Sequence, residues 1–465
     1  MGRYDSIKYP LALILALSVC SLYGQRVLEA DLDRFNAFNQ VENGWCASDA
    51  TISLLLPDSA TLWLFGDCIV GTKVSTFDVN NANATMINNA AIIEDDGLLR
   101  AHFTGTWQDP GSLIPSVDGD IFWPEHATVE NDTLKIFAVR IILEDTGVPG
   151  FNFRVGTTHL ARFTYPGMEH IRTEEVPFIT DSAMRFGTHV LEEDGFKYIF
   201  GKKDTVVNGL KYPLPMLARV DSTVDEPWQF YAGDGNWTYD CRHAVPVGDR
   251  PMSESFFVHK MNGKYHLIMH EIWLIGELYI LEADALTGPW NRAASGGIEK
   301  KFAVINSPEK NFTYNLFAHP QFGNGDDLLI SFNVNNSDFW PIYDDTRHYR
   351  ARFYQMDVEE ALQAAVPDTL DIWADFTGTG TGSGIRTADR GPAGPHLWVH
   401  GGTLHLEDVG SPRLLEIFGA DGKLYLSRPV RSDETVSLEG IPETVLLVRL
   451  SDRDGPVVRR IVNTY

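Results

Sequence analysis

The sequence predicts an all-β protein, a five-bladed β-propeller followed by a small antiparallel β-sandwich. Three observations predict it. One local pattern, apolar strand, tight polar turn, apolar strand, occurs five times. Its turns fall at Asp58, Asn131, Asp194, Asn262 and Asn324, 62 to 73 residues apart, a spacing that holds about four strands and their loops, or one blade. Finally, 40 glycines and 24 prolines supply turns rather than helices.

Residues 1–24 read as an export signal. Arg3 and Lys8 give the positive start, "PLALILALSVCS" gives a short apolar core, and Gly24 gives a small residue before Gln25. The apolar run is too short for a membrane span, and no other span is expected. Cys20 suggests lipid anchoring as an alternative, but Val19 stands where a small residue is wanted.

Residues 25–365 read as the propeller. The first hairpin is "ISLLLPDSATLWLFGD" and the second is "ATVENDTLKIFAV". The third is "THVLEEDGFKYIFG", the fourth "FFVHKMNGKYHLIMHE" and the fifth "HPQFGNGDDLLISFNV". Asn-Gly and Asp-Gly between apolar runs take positive φ cheaply and so favour tight hairpins. "LARFTY", "PMLARV", "LYILEAD" and "YRARFYQMDV" supply further strands. Runs such as "LWLFG" and "LLISF" are apolar throughout, as strands covered on both faces must be. "VEEALQAAV" suggests a short closing helix.

Residues 366–394 read as a linker. "FTGTGTGSG" lacks the Gly-Lys-Ser/Thr that a phosphate loop requires. Residues 395–465 alternate in period two with an Asp-Gly turn and read as the sandwich.

A net charge of −25 argues against nucleic-acid binding, which needs a basic surface. Aromatic side chains at 11% fit a carbohydrate ligand better, because their faces stack on sugar rings. Beyond the signal there remain Cys46, Cys68 and Cys241, too few for a disulfide framework. Cys46 and Cys68 would be able to pair if their strands were neighbours. Neither CxxC nor HExxH occurs, so no structural zinc is expected.

A propeller ligand sits over the central channel and is reached from each blade's inner strand. The first blade offers Asp49, the second Glu125 and His126, the third Arg185 and His189. The fourth offers Ser253 and Glu254, and the fifth His319. The second strands end on Asp67, Glu271, Asn333 and Asn335. A strand-end carboxylate also caps loops by accepting backbone N–H bonds, so each has a purely structural alternative. Glycoside hydrolysis needs two carboxyl groups, one protonating the leaving oxygen and one attacking or activating water. Asp49, Asp67, Glu254 and Glu271 are the catalytic candidates. Trp45, Glu125, His126, Arg185, His189, His319 and Asn335 are the substrate-binding candidates. Trp123, Trp237, Trp273 and Trp340 also lie beside polar positions. No GxSxG elbow occurs. Two rival readings stand beside a glycosidase. One is a non-catalytic sugar-binding propeller; the other is a polysaccharide lyase using Arg185, Arg219 and His189.

"GWCASDATISLLLPDSATLWLFGD", "FWPEHATV", "FGTHVLEEDGFKYIFG", "LTGPW" and "FAHPQF…LLISFNVN", over residues 40–355, resemble a group of five-bladed propeller proteins. That group was long catalogued as a domain of unknown function and is distantly related to arabinanase-like furanosidases. The resemblance implies a glycosidase acting on a furanose- or pyranose-containing polysaccharide, arabinan-like among others. It places the two catalytic aspartates on Asp49 and Asp67, although Cys68 stands where relatives usually carry Thr. It also implies a channel histidine beside a central calcium or sodium ion, for which His319 is the match, and no required cofactor.

"LLEIFGADGKLYLSRPV", "LEGIPETVLLVRL" and "VVRRIV" resemble the C-terminal sorting domain of type IX secretion cargo in the Bacteroidetes, with Thr444 in place of the usual Gly. The resemblance implies the type IX machinery as partner and a secreted or outer-surface location. A monomer is expected.

Overall fold

The computed structural model describes residues 28–371, apart from 80–82, 146–151, 208–209, 271–276, 291–299, 306–310, 324–326, 337–340 and 364–368. It also describes Phe376 and, further on, residues 396–400, 403–407, 413–419, 424–431, 434–438, 445–452 and 455–462. The export signal and the linker therefore fall wholly or largely outside the described residues. The chain divides into two compact units, Met1–Gly380 and Thr381–Tyr465.

The first unit is all-β, built mainly from five sheets met in chain order. The first sheet comprises Ile52–Leu55, Thr61–Phe65, Ala90–Asp95 and Leu98–His102. The second comprises Ile121–Glu130, Thr133–Leu143, Phe153–Thr164 and His170–Glu175. The third begins with Met184–Glu193 and Phe196–Val207, the fourth with Phe256–Met261 and Lys264–His270. The fifth begins with Asn311–His319 and Asp327–Asn336. The first strand of each sheet packs on the first strand of the next, and that of the fifth returns to that of the first.

The hairpins turn where the sequence places them. Glu130 pairs with Thr133 around Asn131 and Asp132, at φ 49° and 56°. Glu193 pairs with Phe196 around Asp194-Gly195, and Met261 with Lys264 around Asn262-Gly263. Positive φ at both central residues matches the hairpin to the strand twist. The fifth turn lies outside the described residues, but its flanks pair from His319↔Leu329 onward.

Apolar faces of successive sheets make the core. Leu62, Leu64, Leu134 and Ile136 join the first two sheets; Phe137, Leu160, Phe186 and Ile199 join the next two. Phe200, Leu217, Phe256 and Leu267 join the third to the fourth. Ile268, Ile280, Leu316, Ile330 and Trp63 join the fourth, fifth and first. The fifth sheet is completed by the N-terminal strand Leu28–Ala30, which pairs antiparallel with Arg352–Asp357. Leu28 is fully buried there. Val358–Gln363 is helical, as read from the sequence.

The second unit has two antiparallel sheets, one of three strands from His396 to Ser437 and one of four from Arg413 to Val462. Leu404, Leu406 and Val436 of the first share a core with Leu415, Ile417 and Val430 of the second, so the sheets pack face to face.

Candidate active site

The first hairpin does not run straight through. Its arms continue past Asp49 and Asp67 into a separate three-stranded sheet of Trp45–Ser48, Cys68–Val70 and Thr85–Ile87. The two aspartates stand at opposed breaks between the sheets. The Asp49 amide donates to the Asp67 carbonyl at 3.0 Å, and the Gly66 amide donates to the Asp49 carbonyl at 3.0 Å. Ala50 takes φ 49°, a left-handed conformation that re-aims the chain. Gly66 is required by close approach, because a Cβ there would lie 2.3 Å from Asp49 Oδ1.

Similar irregularities recur in the first strands of the second, third and fifth sheets. The register shifts between Pro124 and Ala127, between Phe186 and His189, and between Tyr314 and Phe317. The residues set free include Glu125, Thr188 and Asn315, and Glu254 stands just before the fourth sheet's first strand. A bulge redirects a side chain without ending the pairing, which is why such positions serve sites.

Around Asp49 and Asp67 the structure gathers polar partners. The Tyr314 hydroxyl donates to Asp49 Oδ2 at 3.2 Å, and Asn335 Nδ2 donates to the Tyr314 hydroxyl at 3.4 Å. Asn88 Nδ2 and Trp123 Nε1 donate to Asp67 Oδ1 at 3.2 and 3.3 Å. Burial first, then the charge of Asp67, pushes the Asp49 carboxyl up to about 8. Burial also raises Asp67, while Asn88 and Trp123 pull the other way by stabilising its charged form. Tyr314 and Tyr349 are lifted far above the ordinary tyrosine range by burial and then by Asp49, so both stay protonated.

A second cluster lies on the second, third and fourth sheets. Lys202 is fully buried, with its ammonium 2.9 Å from Glu254 Oε2 and 3.7 Å from Glu125 Oε1. Arg185 grips Asp204 with two bonds of 2.9 and 3.0 Å and lies 3.6 Å from Glu254. Burial raises the Glu125 carboxyl, and the Lys202 charge opposes that rise. Glu254 therefore belongs to this ionic cluster rather than to the aspartate pair. Glu271, Trp273 and Trp340 lie outside the described residues.

Four sequence-based assignments, Trp45, His319, His126 and His189, fall on buried side chains. Trp45 is a core residue, packed against Phe38 and Phe65 beneath the Arg350 guanidinium, and presents no face to a sugar. His319 is fully buried with Nδ1 on Ser53 Oγ at 2.7 Å and Nε2 on Ser331 Oγ at 2.8 Å. Both ring nitrogens are thus engaged and do not fit a calcium or sodium ion. His126 and His189 pack edge to face, 4.7 Å between ring centres, and His189 lies 4.2 Å from the Phe257 ring. Burial lowers His126 to about 4, His189 well below the usual range and His319 to about 3. No group of three or more His, Cys, Asp or Glu side chains that could hold a metal occurs among the described residues.

Cys46 and Cys68 lie on paired strands but are free. The register skips Cys46 between Trp45 and Ala47, and the thiols turn to the Gly44 and Gly66 carbonyls. Lys202, Tyr314, Tyr349 and Asn88 carry no motif that a one-sequence reading would isolate, whereas Asn333 is marked in the sequence by its place at a strand end.

One similar solved structure is a protein of Bacteroides ovatus ATCC 8483 provisionally named a hydrolase, 18% identical. Its TM-score is 0.54, over 73% of this chain and 92% of that one. A GH43_1 enzyme from Xanthomonas citri complexed with xylotriose is 11% identical, with a TM-score of 0.40 over 72% and 96% of the two chains. An endo-1,4-beta-xylanase from Bacteroides thetaiotaomicron VPI-5482 is 14% identical, with a TM-score of 0.38 over 68% and 92%. No curated protein matches. The model of the family described as "Domain of unknown function (DUF5005)" matches residues 32–359, and the chain belongs to that family.

Proposed function

We propose that the protein is a secreted glycoside hydrolase that cleaves a neutral polysaccharide with Asp49 and Asp67. One observation carries the reading. Two half-buried carboxyl groups stand at the opposed breaks of a single hairpin, in environments that separate their roles. Asp49, held up to about 8, keeps its proton at neutral pH and delivers it to the leaving glycosidic oxygen. Asp67, supplied with two N–H donors, acts as the carboxylate that attacks the sugar carbon or takes a proton from the attacking water. The bond from the sugar carbon to the bridging oxygen breaks, and water supplies the hydroxyl of the new reducing end. Trp123, fixed by its bond to Asp67 and by an edge contact with Phe153 at 5.0 Å, offers a partly exposed indole face beside the pair.

On this reading the five sheets are the blades of a five-bladed propeller, closed by Leu28–Ala30 in the last blade. The cyclic packing of their first strands and the fold likeness to the Bacteroides ovatus protein support it. Glu125 and Glu254 then line the same mouth, where the exposed Glu254 meets neighbouring sugar units and Arg185 braces it from beneath. The second unit is proposed as the sorting domain for type IX export, with a secreted or cell-surface destination. A lyase fits less well, because Arg185 is committed to Asp204 and His189 is buried against Phe257.

The test is the chemistry of the product ends. Incubation with arabinan, xylan and galactan, and in parallel with a uronate-containing polysaccharide, should release reducing ends from a neutral substrate and no ultraviolet-absorbing ends from any. Unsaturated, absorbing ends would identify a lyase. Binding without any new ends would identify a non-catalytic module.

A further inference from the structure

The fifth sheet bears on Asp49 from behind, and it does so at a local cost. Asn333 is fully buried, and its Nδ2 donates to the Ala50 carbonyl at 3.0 Å and to Thr51 Oγ1 at 3.2 Å. Its Oδ1 is buried without a hydrogen-bond partner. Ala50, the residue it holds, is left-handed at φ 49°. Across the register from Asn333 stands Tyr314, whose hydroxyl reaches Asp49 and receives a bond from Asn335. The next residue, Asn315, is also left-handed at φ 49° and accepts from Ser255 Oγ at 2.8 Å. A left-handed break in the first hairpin and a bulge in the fifth sheet thus come together, with Asp49 and Tyr314 in contact between them. Backbone strain and an orphaned acceptor persist only where surrounding structure over-determines them, and they cluster where geometry is used.

We propose that Tyr314 and Asn333 are positioning residues: Asn333 clamps the left-handed break that carries Asp49, and Tyr314 orients its carboxyl group. The proposal rests on the reading of Asp49 as the proton donor. A tyrosine that stays protonated donates to the carboxylate and favours its charged form, as Tyr349 also does, opposing the burial and the Asp67 charge that favour the neutral one. Asp49 is thereby kept able to release its proton.

The test is the titration of Asp49 in the full chain, followed by carboxyl-carbon NMR and assigned with Asp49→Asn. In Tyr314→Phe the midpoint should rise by about one pH unit, the scale of one lost hydrogen bond to a charged group. Activity on the hydrolysed polysaccharide should fall in kcat with KM nearly unchanged. Asn333→Ala should lower kcat likewise, with circular dichroism unchanged. The titration needs no turnover. If the midpoint rises but no chain shows hydrolysis, the positioning role stands and the glycosidase reading falls. An unmoved midpoint in a folded Tyr314→Phe would overturn the proposal.

Discussion

Replacing Asp49 with Asn should stabilise the protein at pH 8 and leave it unchanged at pH 4. The cause is linkage. Asp49 is raised from 3.8 in the unfolded chain to about 8 in the folded one. Between those values the folded state holds a proton that the unfolded state has released. Stability therefore falls as pH rises through this window, and it is unaffected below the lower value. Four units at about 1.4 kcal/mol each set an upper bound of about 5–6 kcal/mol. Partial contact with water and the sharing of the proton with Asp67 reduce this to on the order of 2–3 kcal/mol. Asn keeps an oxygen that can accept from Tyr314 and cannot ionise, so the substitution removes the charge and little else. Unfolding entropy of roughly 2.1 cal/mol/K per residue gives about 1.4 °C per kcal/mol for a unit of this size. The expected gain in Tm is about 3–4 °C at pH 8 and near zero at pH 4, read by paired thermal melts of the variant and wild type. An equal change in Tm at both pH values would refute the reasoning.

The buried histidines act in the opposite sense. His126, held to about 4, is neutral when folded and charged when unfolded below about 6.5, so His126→Asn should relieve a loss of stability as pH falls from 7 to 5, seen in the same melts. Gly66→Ala would force a Cβ against Asp49 Oδ1, so kcat should fall about a hundredfold while circular dichroism holds; unchanged kcat would count against the tight fit. Leu28→Asp places an unpaired charge in the strand that completes the fifth sheet, and urea unfolding should report a loss of about 3 kcal/mol or more. Trp123→Ala should raise KM, by tenfold or more, with a smaller change in kcat if the indole is the sugar platform.

Local features of the fold were legible in the sequence. Asn131-Asp132, Asp194-Gly195 and Asn262-Gly263 declare their hairpins through backbone conformation alone. Asp49 and Asp67 stand out because a carboxylate in an apolar strand is costly, and the structure does bring them to one place. What stayed hidden depends on distant partners. Leu28–Ala30 has nothing in its own sequence that names Arg352–Asp357 as its neighbour. His319 reads as a ligand until Ser53 and Ser331 are seen to take both its nitrogens. Trp45 and Trp123 look alike on paper, yet one is sealed among phenylalanines and the other reaches Asp67. Glu254 reads as a catalytic acid until the buried Lys202 is found beside it.

The central claim is that Asp49 and Asp67 together cleave a glycosidic bond. The most direct measurement compares wild type, Asp49→Asn and Asp67→Asn for reducing ends released from one hydrolysed neutral polysaccharide. The expected result is release by wild type and a loss of about a thousandfold or more in each variant, with all three folded. Unchanged turnover in either folded variant would contradict it.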